Sequence, residues 1–174
     1  MEAIPGPQTR VTPTCVWVER SATICIEMPP EEAYDYYIDL EAMPKWSTWL
    51  RSVEVDKEDG DVSRWTLASR GITISWKARN TKVKRGQIIA WKSESGLTNR
   101  GRVVFEDKGQ QNCSVTLAVE FDVPQSIASV INNNDFIGRF VEETLMADMK
   151  RFRSVALLNR RRRLRSRKIP ASTE

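Results

Sequence analysis

Three short polar turns in the stretch 50–123 are each flanked by two segments with β-strand character, which makes six segments. The turns are Glu-Asp-Gly-Asp at 58–61, Lys-Arg-Gly at 84–86 and Lys-Gly-Gln-Gln at 108–111. A glycine in a polar segment between two β-rich segments is typical of a β-hairpin. We therefore predict a chain of hairpins with strands at 50–57, 62–69, 72–83, 87–95, 100–107 and 112–123.

The last of these strands shows that one face of the sheet is buried and the other is solvated. Apolar side chains alternate along it with polar ones, and the apolar set is Cys113, Val115, Leu117, Val119 and Phe121. This alternation is typical of an antiparallel sheet with one wet face. A further β-branched segment at 15–27 raises the predicted number of strands to seven.

Two helices are predicted around the strands. The first opens at Pro29-Pro30-Glu31-Glu32, because proline and acidic residues suit a first helical turn, and it ends or bends at Pro44. From Phe136 onward, apolar residues recur at three- and four-residue steps, so a long amphipathic helix is expected there. Its apolar stripe needs a partner, and the sheet is the partner available. Residues 125–133 are a candidate for a short additional helix.

The basic residues are concentrated at the end of the chain. Residues 1–158 hold 20 basic and 22 acidic residues, a net charge of −2, although the whole chain has a charge of +4. We therefore predict a proline-rich arm at 1–14, one domain at 15–158 and a basic tail at 159–174. The predicted contacts of this tail with an anionic membrane or another polyanion are Arg160, Arg161, Arg162, Arg163, Arg165, Arg167 and Lys168.

Several classes of protein are excluded or disfavoured by composition. The chain has no histidine, which removes imidazole bases and histidine-containing metal sites. Its three cysteines have no zinc-like spacing, and an odd number argues against a disulfide framework. No apolar run is long enough to cross a bilayer, and the start lacks a secretory pattern. We predict an intracellular, soluble or membrane-peripheral protein with no metal site, no cofactor and no assigned catalytic residue.

Three segments resemble those of a known superfamily. They are 89–105 (IAWKSESGLTNRGRVVF), 43–50 (MPKWSTWL) and 74–78 (ISWKA). The chain resembles the SRPBCC or START-like superfamily over 17–158, in particular its polyketide cyclase/dehydrase and coenzyme-Q-binding branch and its cyanobacterial and plastid members. The resemblance implies an α+β helix-grip fold, in which a seven-stranded antiparallel sheet curls around a long C-terminal helix. Family members hold lipids, quinones or polyketides in the cavity between them.

The resemblance suggests which residues line such a cavity. Most of the six tryptophans are expected simply to fill the core, but Trp46 and Trp49 lie in a turn where a cavity mouth is expected. We also expect Trp76 and Trp91 to pair across adjacent strands. The predicted cavity residues are Trp46, Trp49, Trp76, Trp91, Ile137, Val141, Leu145 and Met149.

Catalytic chemistry has little support in the sequence. The carboxylate pairs Asp35/Asp39 and Glu142/Glu143 lie on polar helix faces, where solvation is the ordinary explanation. Six other side chains are candidates for a polar group inside the cavity: Arg70, Arg79, Arg100, Tyr34, Tyr36 and Tyr37. None of them lies in a spacing that marks a reaction.

The sequence therefore leaves several functions open. The leading hypothesis is a noncatalytic binding or carrier protein for an isoprenoid lipid, a quinone or a pigment precursor. The alternatives are a polyketide-type cyclase or dehydratase, and an assembly factor or complex subunit that uses the fold as a scaffold. Fold alone does not separate them. The predicted partners are an apolar small molecule, an anionic membrane surface and a protein complex, and nucleic acid is not expected.

Overall fold

The computed structural model describes residues 15–69, 72–124 and 135–168. Its elements in chain order are β1 (Cys15–Ile26), α1 (Pro30–Tyr37), a 3-10 helix (Leu40–Lys45), β2 (Leu50–Val55), β3 (Val62–Ser69), β4 (Ile72–Lys84), β5 (Ile88–Gly96), β6 (Asn99–Gly109), β7 (Asn112–Pro124) and α2 (Asp135–Lys168). The hairpin strands and both predicted helices are confirmed. The arm at 1–14 and the candidate helix at 125–133 lie outside the described residues.

The seven strands form one antiparallel sheet in the order β1-β7-β6-β5-β4-β3-β2. Strands β2 to β7 follow one another as hairpins, and β1 joins the sheet by pairing with β7 along its whole length. Two of the turn glycines, Gly86 and Gly109, have φ angles of 70° and 75°, which residues with a Cβ rarely adopt. Local turn chemistry therefore sets the order of β2 to β7.

The long helix α2 packs on the inner face of this curled sheet, as the helix-grip fold requires. Its buried side chains Leu145, Met149, Phe152 and Ala156 follow three- and four-residue steps. Phe152 meets the ring of Tyr37 edge to face, with centroids 5.2 Å apart. The α+β helix-grip fold predicted from the sequence is therefore the fold of the described chain.

The expected pairing of Trp76 with Trp91 is wrong. Trp76 lies opposite Gly96 in β5, whereas Trp91 lies opposite Asn80 in β4. The register follows from the turn, where Lys84 pairs with Ile88, and this places Trp91 several residues from Trp76 along the strand pair; two irregularities, after Lys77 and after Asn80, shift it by one residue at 78–80 only and cancel. The ring that stacks on Trp76 belongs to Trp65 in β3, with centroids 5.9 Å apart.

Helix α2 continues past the predicted end of the domain to Lys168, so the basic segment begins as helix. Arg160 is part of the packed surface: its guanidinium donates to the Glu27 carbonyl at 2.7 Å and to Gln111 Oε1 at 3.1 Å. It also lies 2.9 Å from a carboxylate oxygen of Glu32. The basic side chains exposed beyond it are Arg161, Arg162, Arg163 and Arg165. Those of Arg167 and Lys168 lie outside the described side chains.

Candidate ligand-binding cavity

A cavity of about 320 Å³ lies between the inner face of the sheet and α2. Its volume is at the lower end of the range of small-molecule sites. Most of its wall is apolar, because the inner-face positions of β3, β4, β5 and β7 carry apolar side chains. Besides tryptophans, the apolar lining is Leu40, Met43, Leu50, Leu67, Ala78, Ile89, Leu97, Leu117, Val119, Phe121, Val141 and Leu145.

Five of the six tryptophans line this cavity: Trp46, Trp49, Trp65, Trp76 and Trp91. The sixth, Trp17, is exposed on the opposite face of the sheet beneath the guanidinium of Arg100. Large aromatic faces bind apolar and conjugated molecules through wide contact areas at little cost in side-chain entropy. The cavity wall is therefore suited to a flat or compact apolar ligand.

Six of the eight predicted cavity residues line the cavity: Trp46, Trp49, Trp76, Trp91, Val141 and Leu145. Met149 does not, and this prediction is corrected. It follows Asp148 directly, so it projects about 100° farther around the helix, and it is fully buried in the packed core. The side chain of Ile137 lies outside those described. Trp65 was missed, although it lies on the same cavity-facing side of β3 as Ser63 and Leu67.

Asp148 is a nearly buried carboxylate in the cavity wall, with 3% of the residue exposed. Its Oδ2 accepts from Ser47 Oγ at 2.6 Å and from Trp49 Nε1 at 2.7 Å. Its Oδ1 accepts from the Arg151 guanidinium at 2.9 Å and from the Thr48 amide at 3.3 Å. A buried charge is tolerable when it is paired and hydrogen-bonded in this way. Asp148 therefore fastens the segment 47–49 to α2 and sets the orientation of the Trp49 ring.

Tyr37 places a hydroxyl group close to this carboxylate. It lines the cavity from the end of α1, and among the described residues its hydroxyl has no hydrogen-bond partner. Burial raises the pKa of the Tyr37 phenol well above its usual value, and the negative charge of Asp148 raises it further. The hydroxyl therefore stays protonated near neutral pH and is free to bond a ligand.

A second polar group of side chains lies on the sheet side of the cavity. Ser63 Oγ accepts a hydrogen bond from Trp65 Nε1 at 2.8 Å. Asn99 accepts from Trp91 Nε1 at 3.2 Å and donates to the Leu97 carbonyl at 2.8 Å. Asn80 also lines the cavity, and its side-chain amide has no partner in the described part of the chain.

The other polar candidates from the sequence lie away from the cavity. Arg79 forms ion pairs with Asp59 and Glu94, and Arg100 forms one with Glu120. Tyr34 is buried against Phe105 and Tyr36 is half-buried, but neither lines the cavity. Arg70 is outside the described residues. The carboxylates at 35, 39, 142 and 143 are exposed, and Asp35 pairs with Arg85.

Metal-ligating and membrane-spanning features were also sought in the described ranges. Within 15–69, 72–124 and 135–168, no three His, Cys, Asp or Glu residues are grouped so that they could hold a metal ion. In the same ranges, no helix combines the length and the apolar character needed to cross a bilayer.

A family model described as polyketide cyclase/dehydrase and lipid transport matches residues 26–150. The chain belongs to this family. The match includes the inner-face strands and most of the cavity-facing part of α2, so the family assignment covers the site as well as the fold. No curated protein sequence matches this family member.

Several solved structures share the fold of this chain over most of its length. DR_A0006 of Deinococcus radiodurans has 29% identity and a TM-score of 0.61, over 79% of this chain and 95% of its own. The Zhui aromatase/cyclase of Streptomyces sp. R1128 has 14% identity and a TM-score of 0.65, over 81% and 94%. A START superfamily protein of Mycobacterium smegmatis has 12% identity and a TM-score of 0.55, over 74% and 94%. The likeness to cyanobacterial and plastid members stays a prediction.

Proposed function

We propose that this family member binds and carries a compact apolar molecule in the cavity between the sheet and α2. The observation that carries the proposal is the cavity itself, with about 320 Å³ of space and five tryptophan side chains in its wall. Space of this kind removes contacts that a packed core would have, so a chain selected only for stability would tend to fill it. A ligand restores those contacts.

The volume also restricts the ligand. At about 320 Å³, the cavity is at the small end of the range of about 300–1,000 Å³ for ligand sites. A quinone ring, a pigment precursor or a short isoprenoid segment suits this space better than a long lipid chain. We propose that class of ligand, and we assign the contacts to the tryptophans together with Val141 and Leu145.

Mass spectrometry of organic extracts from the natively purified full chain tests this proposal. We expect a co-purifying apolar compound in the organic extract of the wild-type protein. Val141→Trp should exclude it, because Val141 lines the cavity on α2. Val155→Trp is the matched control, since Val155 is a half-buried position of the same helix that does not line the cavity. Equal amounts of ligand in both variants would contradict the proposed site.

A cyclase or dehydratase is the second candidate, and one observation favours it. The carboxylate of Asp148 and the free hydroxyl of Tyr37 lie in the wall of an apolar cavity, where a positioned proton donor or acceptor acts strongly on a bound polyketide. If this function holds, Tyr37→Phe should abolish turnover of an aromatic-forming polyketide while ligand affinity stays unchanged. Turnover equal to that of the wild type would reject Tyr37 as a catalytic residue.

We further propose that the exposed end of α2 contacts an anionic lipid surface. Leu158 and Leu164 are each 48% exposed, and exposed arginines lie between and beside them. Apolar side chains with neighbouring cations suit the boundary between lipid head groups and acyl chains. Each cation near an anionic surface contributes about 1 kcal/mol.

Sedimentation with vesicles of phosphatidylcholine and phosphatidylserine tests the lipid contact. We expect binding to the mixed vesicles at low salt, and its loss when Arg161, Arg162, Arg163 and Arg165 are changed to Gln. The control is a variant in which four exposed basic residues elsewhere are changed to Gln, and it should still bind the mixed vesicles. Its positions are Arg51, Lys57, Arg64 and Lys84. Stronger binding to RNA than to these vesicles would show that this end of α2 contacts a nucleic acid and not a lipid surface.

A further inference from the structure

Two polar side chains lie together on the mostly apolar sheet wall of the cavity. Ser63 pairs with Ala78 across β3 and β4, so Ser63 and Asn80 are diagonal neighbours on one face. Diagonal neighbours in an antiparallel pair are about 7–8 Å apart, within reach of one small group placed between them. We call Ser63 and Asn80 the polar corner.

The polar corner has hydrogen-bonding capacity that the described protein does not use. The Ser63 hydroxyl accepts from Trp65 Nε1, which leaves its own proton free to be donated. The Asn80 amide, with two protons to donate and one oxygen to accept, has no partner among the described side chains or backbone groups. Asn99, the other asparagine of the wall, is bonded through both its oxygen and its nitrogen.

The backbone of β4 is irregular around the polar corner. Its pairing with β5 shifts register between Lys77 and Ala78 and again between Asn80 and Lys82. Irregularities of this kind bend a strand, redirect its side chains, and are frequent beside functional sites. The two irregularities lie on either side of residues 78–80, and Asn80 at the end of this segment lines the cavity. A leucine at this position would have filled the wall without an unused amide.

We propose that Asn80, assisted by Ser63, binds a single oxygen function of the ligand. The ligand class is then a compact, mainly apolar molecule with one hydroxyl or carbonyl group, which is held against β3 and β4 while tryptophans surround the rest. This inference rests on the proposed carrier function and makes Asn80 its specificity-determining residue. A hydrocarbon without such a group would leave the amide unpaired in the complex.

A pair of probes of equal shape measures this preference. 2-Naphthol and 2-methylnaphthalene differ only by a hydroxyl in place of a methyl group, and titration calorimetry gives the dissociation constant of each. In Asn80→Leu, we expect affinity for 2-naphthol to fall about three- to tenfold relative to that for 2-methylnaphthalene, the effect of losing one hydrogen bond. Ser63→Ala should shift the ratio in the same direction by a smaller factor.

The control and the outcomes separate this inference from the carrier function. Asn159→Leu removes an exposed asparagine on α2 and should leave the ratio of the two dissociation constants unchanged. If both probes bind but the ratio is the same in Asn80→Leu, Ser63→Ala and the wild type, the polar corner is refuted and the cavity function stands. If neither probe binds the wild-type chain, both are refuted. Should Asn80→Leu fail to fold, the ratio in Ser63→Ala decides.

Discussion

Substitution of Asp148 by alanine should strongly destabilise the fold, because this carboxylate joins two parts of the chain about a hundred residues apart. It accepts hydrogen bonds from Ser47 Oγ at 2.6 Å, from Trp49 Nε1 at 2.7 Å and from Arg151 at 2.9 Å. In Asp148→Ala these three donors and the Thr48 amide lose their acceptor. The segment 47–49 then has no polar attachment to α2 through this side chain.

The magnitude follows from how exposed each donor is. Arg151 has 47% of its side chain exposed, so water replaces its lost bond at little cost. Ser47 is only 5% exposed, and the Trp49 indole is partly buried. A buried donor without a partner costs about 1–3 kcal/mol, and breaking a buried charged contact costs about 3–5 kcal/mol. We therefore expect the free energy of unfolding to fall by about 3 kcal/mol.

Urea denaturation followed by far-UV circular dichroism measures this loss. For a chain of this size the same change lowers Tm by roughly 6–12 °C. Asp39→Ala is the control, since Asp39 is exposed and makes no cap hydrogen bond, so its effect should stay within about 0.5 kcal/mol. If Asp148→Ala loses less than about 1 kcal/mol, the carboxylate does not hold the segment as described.

Three further outcomes are expected. Gly101→Ala should destabilise the fold by about 1–3 kcal/mol in urea denaturation, because its Cβ would meet the Trp91 ring and lie 2.7 Å from the Ala118 carbonyl; wild-type stability would contradict this. Arg160→Ala should cost about 1 kcal/mol and the exposed Arg162→Ala almost nothing, whereas equal effects would show that Arg160 is not docked. Because burial raises the pKa of Tyr37, the contribution of Tyr37 to stability should be full below about pH 10 and fall above it, with the phenolate absorbance of Tyr37 at 295 nm, measured as the difference from Tyr37→Phe, appearing only on unfolding.

Much of the fold could be predicted because its determinants are local in sequence. Each hairpin carries its own turn residues, such as Gly86 and Gly109, and β7 shows its buried face by simple alternation. Register is a different matter, since it depends on both strands and on any irregularity between them. The register of β4 and β5 is set near the turn, where Lys84 pairs with Ile88, and it places Trp76 opposite Gly96 because the two irregularities farther along cancel.

The candidate site was predictable in its apolar part but not in its polar part. Val141 and Leu145 line the cavity, and they belong to the apolar stripe that the three- and four-residue spacing in the sequence indicates. Asp148 lies three residues after Leu145, on the same stripe, and this charge at a core position was the available signal. Its partners are at 47–49, so their meeting depends on how α2 crosses the sheet. The unpartnered amide of Asn80 likewise becomes visible only when the surrounding side chains are in place.

Binding of an apolar fluorescent probe, N-phenyl-1-naphthylamine, tests the central claim most directly. The account predicts saturable binding at one site of the wild-type chain, at least about tenfold weaker binding to Val141→Trp, and unchanged binding to Val155→Trp. The first substitution fills the cavity and the second leaves it open. Absence of saturable binding to the wild type, or equal affinity in the two variants, would contradict a ligand-binding cavity between the sheet and α2.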